Sequence, residues 1–130
     1  MEKEKKKILI VDDDNFLLDM YALKFSQNGF EVYTAGGGVN ALEKLKNGLS
    51  PDLLVVDIIM PELDGFEVLT QIKEQNLCPK CVKIILSNKS EPEDIEKGNQ
   101  LGVIGYIVKA NSTPAEVIEQ AVKILEKTKN

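Results

Sequence analysis

Acidic side chains stand directly after two apolar stretches of this 130-residue chain. The run KILIV is followed by Asp12, Asp13 and Asp14, and the run LLVV is followed by Asp57. Because a carboxylate loses its hydration when it enters an apolar core, each acid should lie where its apolar stretch leaves the core. Carboxylates gathered within about 4 Å repel by roughly 4 kcal/mol per pair at an effective dielectric near 20, so their charge must be offset, most simply by a divalent cation. An all-oxygen site with few protein carboxylates favours Mg2+ over Ca2+.

Two further polar residues directly follow later apolar stretches: Ser87 follows KIIL, and Lys109 follows GYIV. A serine hydroxyl donates a hydrogen bond, and a lysine ammonium is a compact positive partner for a phosphate group. With Mg2+ on one side of a phosphoryl group and Lys109 on the other, Asp57 can attack the phosphorus in line and form an acyl phosphate. The set therefore has the composition of a phosphoryl site without a catalytic base.

Five apolar stretches read as buried strands, and each is followed by a stretch in which apolar residues have helical spacing. The predicted strands are Lys7 to Val11, Phe30 to Ala35, Leu53 to Val56, Lys83 to Leu86 and Val103 to Val108. The predicted helices run from Asn15 to Gln27, across Ala41 to Leu45 until about Gly48, from Asp64 to about Gln75, from Ser90 to Leu101, and onward from Thr113. Strands that alternate with helices form a parallel α/β sheet covered on both faces, with right-handed crossovers. The carboxyl ends of all strands then lie along one edge, which brings the acids, the serine and the lysine together.

Capping signals mark the starts of several predicted helices. Capping boxes are expected at Asp64 with Glu67, Ser90 with Glu93, and Thr113 with Glu116. Asp14 is the expected cap of the first helix, where the helix dipole favours negative charge.

Composition limits the classes of partner. The net charge of −5 argues against general nucleic-acid binding, which needs a basic surface. No apolar run approaches the roughly 20 residues of a membrane span, and the start MEKEKKK lacks the apolar core of a secretory signal. We therefore expect a cytoplasmic protein with one domain over residues 1–130, in which residues 1–6 are a charged N-terminal extension.

Cys78 and Cys81 form a lone CxxC pattern. Such a pattern occurs in redox pairs and as half of a zinc site. The chain has no histidine and no third cysteine to complete a tetrahedral zinc site, and a thioredoxin-like pair is expected at the start of a helix rather than before a strand. The sequence therefore favours two ordinary thiols in a loop.

Four motifs, taken together and in order, resemble the receiver domain of two-component response regulators over essentially the whole chain. They are ILIVDDD at Ile8 to Asp14, DIIMPELDG at Asp57 to Gly65, ILS at Ile85 to Ser87, and GYIVK at Gly105 to Lys109. The resemblance implies a doubly wound, flavodoxin-like sheet of five strands in the order 2-1-3-4-5 with five helices. It is closest in kind to single-domain regulators of the chemotaxis type.

The resemblance also implies roles for the acidic edge. Asp57 matches the phosphoacceptor, and Asp13 matches a direct Mg2+ ligand. Asp12 matches the second acid, which acts on the metal largely through water, and the backbone carbonyl of Ile59 matches a further ligand. Ile59 and Lys89 also correspond to positions that flank the phosphoryl group and tune its hydrolysis.

The remaining matches concern switching. Ser87 matches the hydroxyl that turns toward the phosphoryl group, Tyr106 the aromatic residue coupled to it, and Lys109 the lysine that pairs with phosphate. The chain departs from the family at Asn88, where a small residue is usual, and at Ala110, where proline after a cis bond is usual. A cis bond before alanine costs about 2.5–4 kcal/mol, so a trans peptide is the expectation here.

The favoured function is a phosphorylatable signalling switch rather than an enzyme. The resemblance implies a sensor histidine kinase or phosphotransfer protein as phosphoryl donor, a downstream target protein, and a monomer or weak dimer. The switch would take part in its own phosphorylation and dephosphorylation. The departures at Asn88 and Ala110 leave open a receiver-like interaction module that works without phosphorylation.

An enzyme is the third alternative, either a phosphohydrolase or a flavin-binding protein. The D-x-D-x-[TV] pattern of haloacid dehalogenases has Phe16 at its last position here, and no loop offers a run of hydroxyls and amides for a flavin phosphate.

Overall fold

A parallel sheet of five strands forms the centre of the computed structural model, which describes residues 5–128. The strands are β1 Lys7–Val11, β2 Glu31–Ala35, β3 Leu53–Val56, β4 Val82–Ser87 and β5 Gly105–Val108. Their order is β2-β1-β3-β4-β5 and every pairing is parallel, which confirms the predicted fold class. Most of the predicted N-terminal extension, residues 1–4, lies outside the described residues.

Helices cover both faces of the sheet. They are α1 Asn15–Gln27, α2 Gly38–Lys46, α3 Gly65–Glu74, α4 Pro92–Gln100 and α5 Pro114–Lys127, with a short 3-10 turn at Lys109–Asn111. Side chains of a strand alternate between faces. Ile8 and Ile10 of β1 accordingly pack with α1 and α5, whereas Leu9 and Val11 pack with α2 and α3. Across residues 5–128, no helix combines the length and apolar character that crossing a bilayer requires.

The helix starts are mostly where the capping signals place them. The boxes at the starts of α3 and α5 are confirmed, as is the cap of α1, in which Asp14 accepts a hydrogen bond from the Leu17 N–H at 3.1 Å. The predicted box at Ser90 is wrong. Glu91 precedes α4, and its N–H donates to the Asp94 carboxylate at 3.0 Å. Pro92 explains the shift, because proline suits the first helical position.

The start of β5 also differs from the prediction. Gly102 has a φ of +90° directly after α4, and the Val103 N–H donates to the Gly98 carbonyl at 2.9 Å. Val103 therefore completes the C-terminal end of α4, and the strand begins only at Gly105. The apolar pattern alone did not separate these two roles.

Gly65 holds the start of α3 close to the loop that follows β3. Its N–H donates to the Ile58 carbonyl at 2.9 Å, and a Cβ added here would lie 2.2 Å from the Asp57 carbonyl oxygen. Only a residue without a side chain fits this approach. The glycine thus helps to fix the backbone that carries Asp57.

We expect Gly65→Ala to lower the free energy of unfolding by about 1–3 kcal/mol, because the backbone must move to accommodate the methyl group. Urea denaturation measures this change. Gly36→Ala is the matched control, since the nearest atom to its added Cβ is Asn15 Oδ1 at 4.0 Å. A loss at Gly65 no larger than the loss at Gly36 would contradict the steric argument.

Candidate functional site

Three carboxylates meet at the carboxyl-terminal edge of the sheet, as predicted. Asp12 follows β1 and its N–H donates to the Ala35 carbonyl of β2, at 3.1 Å; Asp57 follows β3. Asp12 is 2% exposed and Asp57 7% exposed, whereas Asp13 faces solvent. One carboxylate oxygen of each of these three acids lies within 4.8 Å of the others. This geometry suits a bound cation that is reached from solvent beside Asp13.

Lys109 connects the two buried acids. Its Nζ lies 2.8 Å from Asp12 Oδ2 and 2.8 Å from Asp57 Oδ2, and its side chain is only 11% exposed. Burial of the ammonium acts to lower the pKa of Lys109, but the hydrogen bonds to both acids outweigh burial and raise the pKa above its ordinary value. The lysine is therefore charged at neutral pH.

One ammonium does not fully compensate the acids around it. Burial raises the pKa of Asp12, although the hydrogen bonds from Lys109 and from the Asp14 N–H act in the opposite direction. Three carboxylates face one lysine, so negative charge is in excess at this edge. Carboxylate oxygens in excess are a suitable donor set for a hard divalent cation.

The Asp57 carboxylate is held in a defined orientation. Its Oδ1 accepts from the Ile58 N–H at 2.7 Å and, more weakly, from the Ile59 N–H at 3.4 Å, while Oδ2 accepts from Lys109. The Ile59 side chain is 63% exposed beside this carboxylate. The role of the Ile59 carbonyl as a metal ligand stays a prediction.

A second group of contacts joins the β4–α4 loop to β5. Ser87 is fully buried at the end of β4, and its Oγ accepts from the Lys89 N–H at 3.2 Å. The Tyr106 hydroxyl donates to the Lys89 carbonyl. Burial, followed by the charges of Asp94 and Asp57, raises the pKa of Tyr106 to about 12, so the hydroxyl keeps its proton at neutral pH. The two predicted switch residues are thus linked through the backbone of Lys89.

The side chain of Lys89 has a partner that sequence reasoning missed. Its Nζ lies 2.6 Å from Asp94 Oδ1, and the hydrogen bond from this lysine is the main cause of a lowered pKa for Asp94. The sequence did contain a signal for the position of Asp94, because a helix that begins at Pro92 has Asp94 as its third residue. The mistaken capping box at Ser90 concealed it.

The two departures from the family pattern contact each other. Asn88 Oδ1 accepts from the Ala110 N–H at 2.7 Å, which ties the β4–α4 loop to the 3-10 turn after β5. A proline at position 110 has no N–H to donate. The described residues contain no cis peptide bond, so the expected trans bond between Lys109 and Ala110 is confirmed.

Comparisons with known proteins agree with this geometry. A family model described as the response regulator receiver domain matches residues 8–123. The alkaline phosphatase synthesis transcriptional regulatory protein PhoP of Bacillus subtilis is 36% identical over 123 residues, which cover 95% of this chain and 50% of that protein. The probable transcriptional regulator ycf27 of Cyanophora paradoxa is 35% identical over 132 residues, or 100% of this chain and 52% of that protein. The chain therefore spans about half the length of these curated relatives.

Solved structures show the same fold. A CheY-like response regulator receiver domain protein from Methanospirillum hungatei superposes with a TM-score of 0.85 at 28% identity. The match covers 95% of this chain and 96% of that one.

Proposed function

Since this chain belongs to the response regulator receiver family, we propose that it accepts a phosphoryl group on Asp57 with the aid of Mg2+ and thereby switches a protein-interaction face. One observation carries the proposal. The ammonium of Lys109 bonds both Asp12 and Asp57, while the Asp13 carboxylate lies within reach of the same two acids. The carboxylate that we assign as the acceptor thus has a fixed ammonium on one oxygen and two further carboxylates within reach.

The metal would be held by Asp12, Asp13 and Asp57, with the Ile59 carbonyl as a further ligand. When bound, Mg2+ supplies positive charge to the phosphoryl oxygens and orients them for in-line transfer. The nucleophile is a side-chain carboxylate oxygen rather than a hydroxyl, so the proposed transfer needs no general base. A carboxylate oxygen of Asp57 attacks the phosphorus, the bond from phosphorus to the donor breaks, and its electron pair leaves with the donor. We assign the donor role to a histidine kinase or phosphotransfer protein.

Lys109 and Ser87 would respond to the new phosphoryl group. The ammonium of Lys109 exchanges its contact with Asp57 for a phosphoryl oxygen, which keeps its charge paired. The Ser87 hydroxyl turns toward another phosphoryl oxygen and leaves the Lys89 N–H. Because Tyr106 bonds the carbonyl of Lys89, movement of this loop changes the position of Tyr106 and the surface that a downstream protein contacts.

Phosphoryl uptake tests the proposal directly. The chain is incubated with acetyl phosphate and Mg2+, and intact mass is measured. We expect a gain of one phosphoryl group that is absent in Asp57→Asn and present in Asp19→Asn, which removes an exposed acid of α1. No gain in the unmodified chain, or a gain that persists in Asp57→Asn, would overturn the proposal. Absent uptake by a folded chain would favour the interaction module that works without phosphorylation.

A further inference from the structure

Cys78 and Cys81 lie in a tight turn between α3 and β4, at the edge of the sheet opposite the acids. The Cys81 N–H donates to the Cys78 carbonyl at 3.1 Å, which closes a four-residue turn over the sequence CPKC. A β-turn brings its first and last Cα atoms within about 7 Å. Disulfides join Cα atoms that are about 4.4–6.8 Å apart, so the turn sets a separation compatible with a disulfide.

The side chains of the two cysteines also lie close together, so that each thiol acts on the pKa of the other. Cys81 is 8% exposed and Cys78 is half-buried, so the pair lies at the border of the core with one partner open to a reagent. Cys78 has a φ of +47°, a left-handed backbone conformation that residues other than glycine adopt infrequently. The fold therefore sets the relative position of the two cysteines, which the spacing in the sequence left undefined.

The surroundings favour one thiolate in the pair. The neighbouring sulfur raises the pKa of the Cys78 thiol and lowers that of Cys81, so Cys81 is the cysteine that loses its proton first. Lys83 contributes to the lowered pKa of Cys81, and its Nζ lies 3.4 Å from the Cys81 carbonyl oxygen. A thiolate beside a neutral thiol is the arrangement from which thiol–disulfide exchange begins.

We propose that Cys78 and Cys81 form a reversible redox site, which closes to an intramolecular disulfide by exchange with a small-molecule disulfide. This proposal departs from the interpretation of two ordinary loop thiols, because the turn holds the two cysteines at a separation that a disulfide can span. A zinc site is excluded by composition, since the chain has no histidine and only two cysteines to supply nitrogen and sulfur ligands.

The exchange proceeds in two balanced steps. The thiolate of the pair attacks one sulfur of the small disulfide, a mixed disulfide forms, and one small thiolate leaves. The second cysteine loses its proton and attacks the protein sulfur of the mixed disulfide, which expels the second small thiolate. The two cysteines are oxidised by two electrons, and the small disulfide is reduced to two thiols.

Closure would also change a contact between loops. The Cys78 Sγ donates to the Pro51 carbonyl oxygen at 3.4 Å, and this bond ties the α3–β4 turn to the segment before β3. A disulfide sulfur has no proton to donate, so oxidation removes the tie. The redox site lies apart from Asp57, and the proposal does not depend on phosphorylation.

The experiment equilibrates the native chain with defined ratios of reduced to oxidised glutathione, blocks remaining thiols by alkylation, and reads intact mass. We expect a monomer lighter by two hydrogen atoms, and we expect dithiothreitol to restore the original mass. Single variants Cys78→Ser and Cys81→Ser should instead retain one glutathione, because no second thiol resolves the mixed disulfide. Cys81→Ala is a second variant at the buried position. Asp57→Asn should form the disulfide at the same glutathione ratio as the unmodified chain.

Comparison with the unfolded chain tests whether the fold builds the site. In urea the two thiols should need a more oxidising glutathione ratio than in the native state, because the turn no longer holds them together. Stable glutathione adducts on the native unmodified chain would overturn the proposal. An equal or less oxidising ratio in urea would do the same.

Discussion

Replacing Lys109 with methionine is expected to lower the free energy of unfolding in metal-free buffer by about 3–5 kcal/mol, the range seen when one partner of a buried ion pair is removed. The ammonium lies 2.8 Å from one oxygen each of Asp12 and Asp57, and those two acids are 2% and 7% exposed. Methionine has a similar length and keeps the apolar contacts of the lysine stem. The loss of stability therefore measures the contribution of the ammonium charge. Without the ammonium, two buried carboxylates face each other and Asp13 with no cation among the described residues placed between them.

Mg2+ should reverse much of this loss. A divalent cation bound by the three acids supplies the positive charge that Lys109→Met removes, and a ligand that binds only the native state adds to its stability. Urea denaturation in EDTA and in excess Mg2+ measures both effects. Lys46→Met, which removes an exposed lysine of α2, should change stability by less than about 0.5 kcal/mol under either condition. Equal stability of Lys109→Met and Lys46→Met in EDTA would mean that the lysine does not compensate the acids.

The same substitution should impair phosphoryl uptake even when Mg2+ restores the fold. In the proposed reaction Lys109 pairs with a phosphoryl oxygen, and the metal occupies a different side of that group. Stability and uptake are thus separable in one variant, because Mg2+ can compensate the resting acids without replacing the lysine at the phosphoryl group.

Features set by strand ends were predictable from the sequence. Apolar runs that stop at Asp12, Asp57 and Lys109 indicate both the strands and the edge where they end, because a charged group is strongly disfavoured inside a core. Parallel alternation of strands and helices then places those ends together. These two facts place the acids and Lys109 along one edge, and the strand order, which the family resemblance implied, brings them together.

Contacts between loops were not predictable in the same way. The bond from the Ala110 N–H to Asn88 depends on how the β4–α4 loop and the turn after β5 approach each other, and neither spacing nor periodicity encodes that approach. Asn88 and Ala110 read separately as departures from a family pattern. In the structure they are a matched donor and acceptor, which suggests that one departure accommodates the other.

Replacing Asp13 with alanine removes a negative charge from the site, whereas Lys109→Met removes a positive one. We expect Asp13→Ala to weaken Mg2+ binding. Loss of a residue that hydrogen-bonds to a metal ligand lowers metal affinity by about 10- to 100-fold. Loss of a direct ligand should therefore lower the affinity by at least that factor. Stability in EDTA should not fall, because Asp13 is exposed and its removal relieves repulsion with Asp12 and Asp57. Titration calorimetry of the EDTA-treated chain with Mg2+ measures the affinity.

Asp14→Ser is the matched control for this variant. It removes one neighbouring charge, and the serine hydroxyl can still cap α1, where Asp14 now accepts from the Leu17 N–H at 3.1 Å. Its effect on Mg2+ affinity should be small, because it changes the electrostatic potential near the site but removes no ligand. If both variants weaken Mg2+ binding equally, Asp13 acts only through its negative charge near the site and does not ligate the metal. A loss confined to Asp13→Ala would identify the exposed acid as the ligand that completes the site, with Lys109 bonded to both Asp12 and Asp57 behind it.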